Sequence, residues 1–140
     1  MYKEISQPGD VIISVHVSSK LSGTINSAQQ AANTLSGTVD VRIVDTQQVS
    51  MTVGLSAVGA AQAALEGKSV EECIAVAESV ARRSNFFALF DTLEYLEKGG
   101  RIGKARSLIG GLLKIRPILR VEDGEIGQFS KARSRNMGMM

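Results

Sequence analysis

Residues 11–30 read VIISVHVSSKLSGTINSAQQ, and the fold class follows from how this stretch changes character. Over residues 11–17 the side chains are mostly β-branched and alternate between two faces. Val11, Ile13, Val15 and Val17 share one face, and Ile12, Ser14, His16 and Ser18 share the other, which is the periodicity of a strand. From Asn26 onward Ala and Gln take over, so the chain is expected to pass from strand to helix across residues 18–24. The intervening loop suits an anion. Ser18, Ser19, Ser22 and Thr24 bring hydroxyls, and Gly23 allows close backbone approach. The first N–H groups of a helix also lack internal partners and carry partial positive charge. A carboxylate or a phosphate fits such a loop. A plainer reading stands beside it, in which Ser22 or Thr24 only caps the helix.

Working outward, residues 1–10 read as a tail ending in the turn Pro8-Gly9-Asp10. Beyond the helix, Gly37 is a stop signal and residues 39–44 form a second strand, giving a strand–helix–strand crossover and a parallel sheet. Asp45-Thr46 closes that strand. Such residues either face the ligand crevice at the carboxyl end of an α/β sheet or cap the next helix. Residues 51–65, rich in Ala and Gly, predict a helix that packs close to its neighbours or to a ligand. After Ser69, the residues Val70, Cys73, Ile74, Ala77, Val80 and Ala81 fall on one helical face, which makes Cys73 a core residue rather than a nucleophile. Residues 85–90, NFFALF, read as a strand whose three Phe rings lie in the core. A helix over 91–98 follows, then another over 105–113 and a strand over 115–121. Asp123-Gly124 is a hairpin turn into 125–129, and a basic stretch begins at Lys131. His16 is read as a histidine satisfied by a neighbour.

Composition narrows the function classes. With 140 residues, 44% hydrophobic and 21% charged, the chain has the balance of a globular protein with a real core. No apolar run approaches the roughly 18 residues of a membrane span, and residues 1–10 lack a signal core, so a cytoplasmic location without stable membrane insertion is expected. One Cys and one His leave no His/Cys metal cluster and no intramolecular disulfide. Charge is uneven: residues 98–135 hold ten Lys or Arg against three acids, whereas residues 1–97 hold six against eleven. That asymmetry suits an anionic ligand or an acidic partner, or is a solvated face. Nucleic-acid binding is not expected, because Phe129 is the one aromatic in the basic segment and no stacking platform results. Gly99 and Gly103 enclose three residues and Ala105 has no hydroxyl, so the segment is not a Walker A loop. No Ser/His/acid order supports a hydrolase.

Three motifs occur in one order: Ser18-Ser19-Lys20-Leu21-Ser22-Gly23-Thr24; Leu93-Glu94-Tyr95-Leu96-Glu97-Lys98-Gly99-Gly100-Arg101-Ile102-Gly103-Lys104; and Leu113-Lys114-Ile115-Arg116-Pro117-Ile118-Leu119 with Asp123-Gly124. Together they resemble the DegV family over essentially the whole chain. The family's proteins are about twice this length, so the chain is expected to correspond to their central portion. Residues 1–83 would then belong to a first α/β domain. Residues 84–140 would carry the Gly-Gly-Arg segment and the start of a second α/β domain with a β-hairpin.

The resemblance implies a bacterial lipid-binding protein of the EDD fold. It is not itself an enzyme and needs no cofactor or metal. It holds a long-chain fatty acid between two α/β domains and presents the acyl carboxylate to a separate fatty acid kinase. Carried over by motif, Ser22 matches the carboxylate-binding serine at a helix N-terminus, with Ser19, Gly23 and Thr24 around it. Arg101 matches the arginine near the head group or the transferring phosphoryl. The family's carboxylate-binding Thr, in a Thr-Ser-Gln-Pro-Ser motif, has no counterpart: Ser6-Gln7-Pro8 has Ile5 in its place and lies directly against the strand. The family's late His would fall beyond Met140, and His16 does not take its role. Asp45-Thr46-Gln47 also departs from the Asp-Ser and small residues usual after that strand. Two alternatives remain open. One is a small-molecule phosphate-binding or phosphotransfer enzyme using the same loop, and the other is a truncated scaffold without activity.

Overall fold

The structure, a computed structural model, describes residues 1–108 and 116–132. Its backbone gathers into two compact units, Met1–Ser84 and Asn85–Met140. The chain is mixed α/β, with a parallel sheet in the first unit and an antiparallel one in the second.

In the first unit, β1 (Val11–His16) pairs in parallel with β2 (Asp40–Asp45), in register from Val11↔Asp40 to His16↔Asp45. Helix α2 (Thr24–Thr34) is the crossover between them. Gly37 at φ +81 completes the turn out of α2, where Thr38 and Val39 both donate to Leu35 O at 2.9 and 3.0 Å. Two further helices follow, α3 (Met51–Leu65) and α4 (Val70–Arg83). Val44 of β2, Ala60 of α3 and Ala77 of α4 form the centre of the core, with Ile13, Val15 and Ile74 packed against them. Small residues set the spacing. A Cβ at Gly59 would lie 3.2 Å from Val80 Cγ2 and 3.3 Å from Val76 Cγ1, so α3 and α4 lie closer than a side chain there would allow. Cys73 is buried on the apolar face of α4, as its periodicity predicts.

The start of α4 is fixed by a capping box: Ser69 N–H and Ser69 Oγ each donate to Glu72 Oε2 at 2.8 Å, and Glu72 N–H returns to Ser69 Oγ at 3.3 Å. The Ser69 N–H, and after it the Ser69 hydroxyl, hold the Glu72 carboxyl below the usual 4.5. Helix α3 buries its own hydroxyls by back-bonding, with Ser56 Oγ donating to Thr52 O at 2.9 Å and Thr52 Oγ1 donating to Val49 O. Its opposite side, Met51, Leu55, Val58 and Leu65, is an exposed apolar stripe. Residues 1–10 are more than a tail, because Tyr2–Ile5 forms a short helix, α1, before the turn at Pro8-Gly9.

In the second unit, β3 (Phe87–Leu89), β4 (Arg116–Glu122) and β5 (Glu125–Ala132) form an antiparallel sheet in that order. Asp123 and Gly124 both have positive φ, 52 and 77, the conformation of a two-residue hairpin whose twist matches its strands. Leu119 pairs with Gln128 and Ile118 with Ser130, which leaves Phe129 as the extra residue of a bulge. The core on one side of this sheet is Ile102, Ala105 and Leu119, joined by Phe90, Leu93, Leu96, Leu108 and Ile126.

Several boundaries differ from the sequence expectation. The strand over 85–90 shortens to three residues, and Phe87 is not core: it is 48% exposed, with its ring 4.7 Å from that of Phe129. Phe129 lies beside it across β4, and Arg120, the register partner of Phe87, sits 5.7 Å from the Phe129 ring centre. The helix over 91–98 contracts to α5 (Glu94–Lys98). Where an α-helix from Ala105 is expected, a 3₁₀ helix runs over Gly103–Leu108, since Gly103 and the packing of Ile102 and Ala105 fix the start of this segment. The remainder of that expected helix, to Leu113, lies outside the described residues, as do residues 133–140.

Candidate functional site

Parallel pairing ends β1 and β2 at the same level, His16 opposite Asp45, so the loops that follow both strands leave from one end of the sheet. In α/β sheets this carboxyl end is where ligands bind. After β1, Leu21 N–H and Ser22 N–H both donate to Ser18 O at 3.0 Å, folding residues 18–22 into a tight turn around Ser18, whose side chain is fully buried. Helix α2 then begins at Thr24, with Gly23 as N-cap and Ser22 immediately before it. The strand–loop–helix passage read from the sequence is thus the one observed, with Ser22 neither within the strand nor within the helix.

The hydroxyls at this helix start are arranged for donation. Ser22 Oγ lies 2.6 Å from Thr24 Oγ1 and accepts the Thr24 N–H at 3.2 Å. One of the two hydroxyl protons is used between them, and the other remains to donate. Among the described residues the N–H groups of Gly23 and Ile25 find no acceptor. Gly23 has no heavy atom within 4 Å of where a Cβ would stand, so the backbone is open to a ligand. Capping and anion binding are not exclusive here: Ser22 does satisfy a helical N–H, yet the N-cap position belongs to a glycine, which leaves that end of the helix partly unsatisfied.

Ser19 is exposed on the same turn, and its N–H is engaged by Asp45, at 3.4 Å from both carboxylate oxygens, while its hydroxyl has no partner among the described residues. Asp45 also accepts Gln47 N–H at 2.9 Å. Thr46 is buried, donates through Oγ1 to His16 O at 2.7 Å and accepts Gln48 N–H at 3.2 Å, while Ser18 N–H donates to Gln48 O at 2.9 Å. The residues ending β2 therefore stitch the two loops together, a role absent from the two readings that the sequence left open. What would have revealed it is the register that brings Asp45 level with His16. His16 is satisfied as expected: its Nε2 lies 2.8 Å from Ser14 Oγ, which is 2.8 Å from Tyr2 Oη. A groove of about 580 Å³ lined by Val11, Ala32, Gly37, Val39 and Val41 lies at the amino ends of the strands, away from this loop.

Arg101 belongs to the second unit. Gly100 at φ +69 makes the turn after α5, and Ile102, 6% exposed, anchors the segment in the core. Gly103 at φ +52 lets the backbone pass against Ile126, and Lys104 reaches toward Asp123 and Glu125 at 4.0 and 3.7 Å. Arg101 itself is exposed and donates from Nη1 to Gly99 O at 2.6 Å. Lys98, Arg116 and Arg120 each face a carboxylate, whereas Arg101 has none among the described residues. Most of the Gly-Gly-Arg-Ile-Gly-Lys segment is thus explained by packing, with the guanidinium left over. Among the described residues no group of three or more His, Cys, Asp or Glu is placed to hold a metal, and no helix is long and apolar enough to cross a membrane.

This parallel strand–loop–helix unit, followed by an antiparallel hairpin sheet, is shared with a known class of proteins. Over residues 1–139 the sequence matches the family described as "Uncharacterised protein, DegV family", and the chain belongs to that family. A DegV domain-containing protein of Clostridium acetobutylicum is 41% identical over 136 residues, covering 95% of this chain and 48% of the relative. In structure, a DegV family protein of Thermus thermophilus described by its fatty acid binding matches with a TM-score of 0.86 at 38% identity, over 96% of this chain and 48% of that one. A DegV family protein of Eubacterium eligens loaded with heptadecanoic acid matches with a TM-score of 0.79 at 25% identity, over 93% of this chain and 49% of its own. The chain spans about half the length of the relatives it matches.

Proposed function

We propose that this protein binds a long-chain fatty acid and holds its carboxylate at the start of α2, through the hydroxyls of Ser22 and Thr24, the backbone at Gly23, and the hydroxyl of Ser19. The observation that carries this reading is the Ser22–Thr24 hydroxyl pair at a glycine N-cap, beside N–H groups that find no acceptor among the described residues. An anion is what such a constellation is short of. The fatty acids of the Thermus and Eubacterium relatives support the choice of a carboxylate over a phosphate. In this reading residues 1–83 are the central part of a first α/β domain and residues 84–140 the start of a second. The protein is a non-catalytic subunit in the cytoplasm that presents the carboxylate to a fatty acid kinase. ATP and Mg²⁺ sites are then the partner's to supply.

Heptadecanoic acid is expected to raise the melting temperature of the full-length protein, and ATP with Mg²⁺ to leave it unchanged. Ligand at a hundredfold over its dissociation constant stabilises by about 2.7 kcal/mol, a shift of several degrees that differential scanning fluorimetry resolves. A shift with ATP alone would favour the phosphotransfer enzyme, and no shift with either would favour the inactive scaffold.

Arg101→Ala is expected to spare fatty-acid binding and to lower acyl phosphate formation in a kinase-coupled assay. A guanidinium without a carboxylate partner among the described residues suits a transferring phosphoryl group or the kinase surface. Loss of binding in the titration would instead assign Arg101 to the ground-state head group.

A further inference from the structure

We propose that Asp45 is a positioning residue for the carboxylate site: its side chain holds the Ser19 N–H and so fixes the turn that carries Ser22 to the start of α2. The inference rests on the fatty-acid reading above. Asp45 sits at the last paired position of β2, level with His16, and its two oxygens lie at equal distances of 3.4 Å from Ser19 N. The same carboxylate accepts Gln47 N–H at 2.9 Å, which orients it. The loop after β2 has reason to need such a hold. Gln47 and Ser50 both adopt positive φ, 52 and 57, without being glycine. Thr46 on His16 O and Gln48 O on Ser18 N–H secure the base of the turn, and Asp45 reaches past Ser18 to its rising limb.

From Ser19 the effect travels a short way. Ser18 O receives both Leu21 N–H and Ser22 N–H, so a turn clamped at Ser18 and Ser19 arrives at Ser22 with its backbone already ordered. Without the Asp45 contact a ligand must order that backbone on binding, at a cost to affinity of roughly tenfold for about one residue's worth of lost freedom.

The test compares Asp45→Ala with Asp45→Asn, which keeps an acceptor oxygen, in the full-length protein. Amide hydrogen exchange without ligand reads the clamp alone, and titration with heptadecanoic acid reads its consequence. In Asp45→Ala the Ser19 and Ser22 amides are expected to exchange several-fold faster while those of Val11–His16, which report folding, keep their rates. Affinity should fall roughly tenfold. Asp45→Asn should recover most of both. Unchanged exchange at Ser19 and Ser22 overturns the proposal, as does faster exchange with unchanged affinity. The latter leaves the carboxylate reading standing. Failure of the wild-type protein to bind heptadecanoic acid overturns that reading, and the positioning role with it, whatever the exchange rates show.

Discussion

Replacing Ser22 by Ala is expected to weaken fatty-acid binding by roughly 1.5 to 3 kcal/mol, the value of a hydrogen bond to a charged group. In dissociation constant this is about ten- to more than a hundredfold. The same change removes the oxygen that accepts Thr24 N–H, at a cost to folding of about 1 kcal/mol or less. The two effects separate because the N-cap is Gly23, so the helix start does not depend on the Ser22 side chain alone. Isothermal titration of the variant, alongside its denaturation curve, distinguishes the roles. A loss of about 1 kcal/mol in stability with wild-type affinity would reduce Ser22 to a capping residue.

The largest effect on stability is expected from Gly103→Ala. A Cβ there would stand 2.6 Å from Ile126 O and 3.2 Å from Ile126 N, backbone atoms of β5 that cannot swing aside as a side chain would. The residue also has φ +52, so Ala adds left-handed strain of about 1–2 kcal/mol to an overpacking cost of about 1–3 kcal/mol, a total of roughly 2 to 5 kcal/mol. Gly100 is the internal control: at φ +69 it carries the strain, with nothing within 4 Å. Urea denaturation should therefore rank Gly103→Ala well below Gly100→Ala. Equal losses would mean that close approach to β5 is not what glycine at 103 serves.

The legibility of this chain depended on where local chemistry decides the structure. The passage from β1 through residues 18–24 into α2 could be read because β-branched alternation, a hydroxyl and glycine loop, and an Ala/Gln run each point the same way. Helix α3 was legible over its whole length from its Ala-rich composition. Phe87 was not, because its place beside Phe129 is set by strands paired far along the chain, which nothing in NFFALF encodes. The segment from Gly103 likewise reads as helical, and the packing of Ile102 and Ala105 with Leu119 that accompanies its 3₁₀ form lies far along the chain. Within the candidate site, Ser22, Gly23 and Thr24 could be named from their own neighbourhood. The hold of Asp45 on Ser19 spans 26 positions and required the sheet register.

That register makes the two loops a single unit of variation. Successive side chains of a strand face opposite ways, so one residue gained or lost between Asp40 and Asp45 would turn position 45 to the other face of the sheet and withdraw its carboxylate from Ser19. The turn around Gly37 lies ahead of the paired region and stands under no such constraint. Length changes that this architecture absorbs thus belong at the amino ends of the strands. At the carboxyl ends, a residue gained or lost within β2 breaks the contact that joins the two loops.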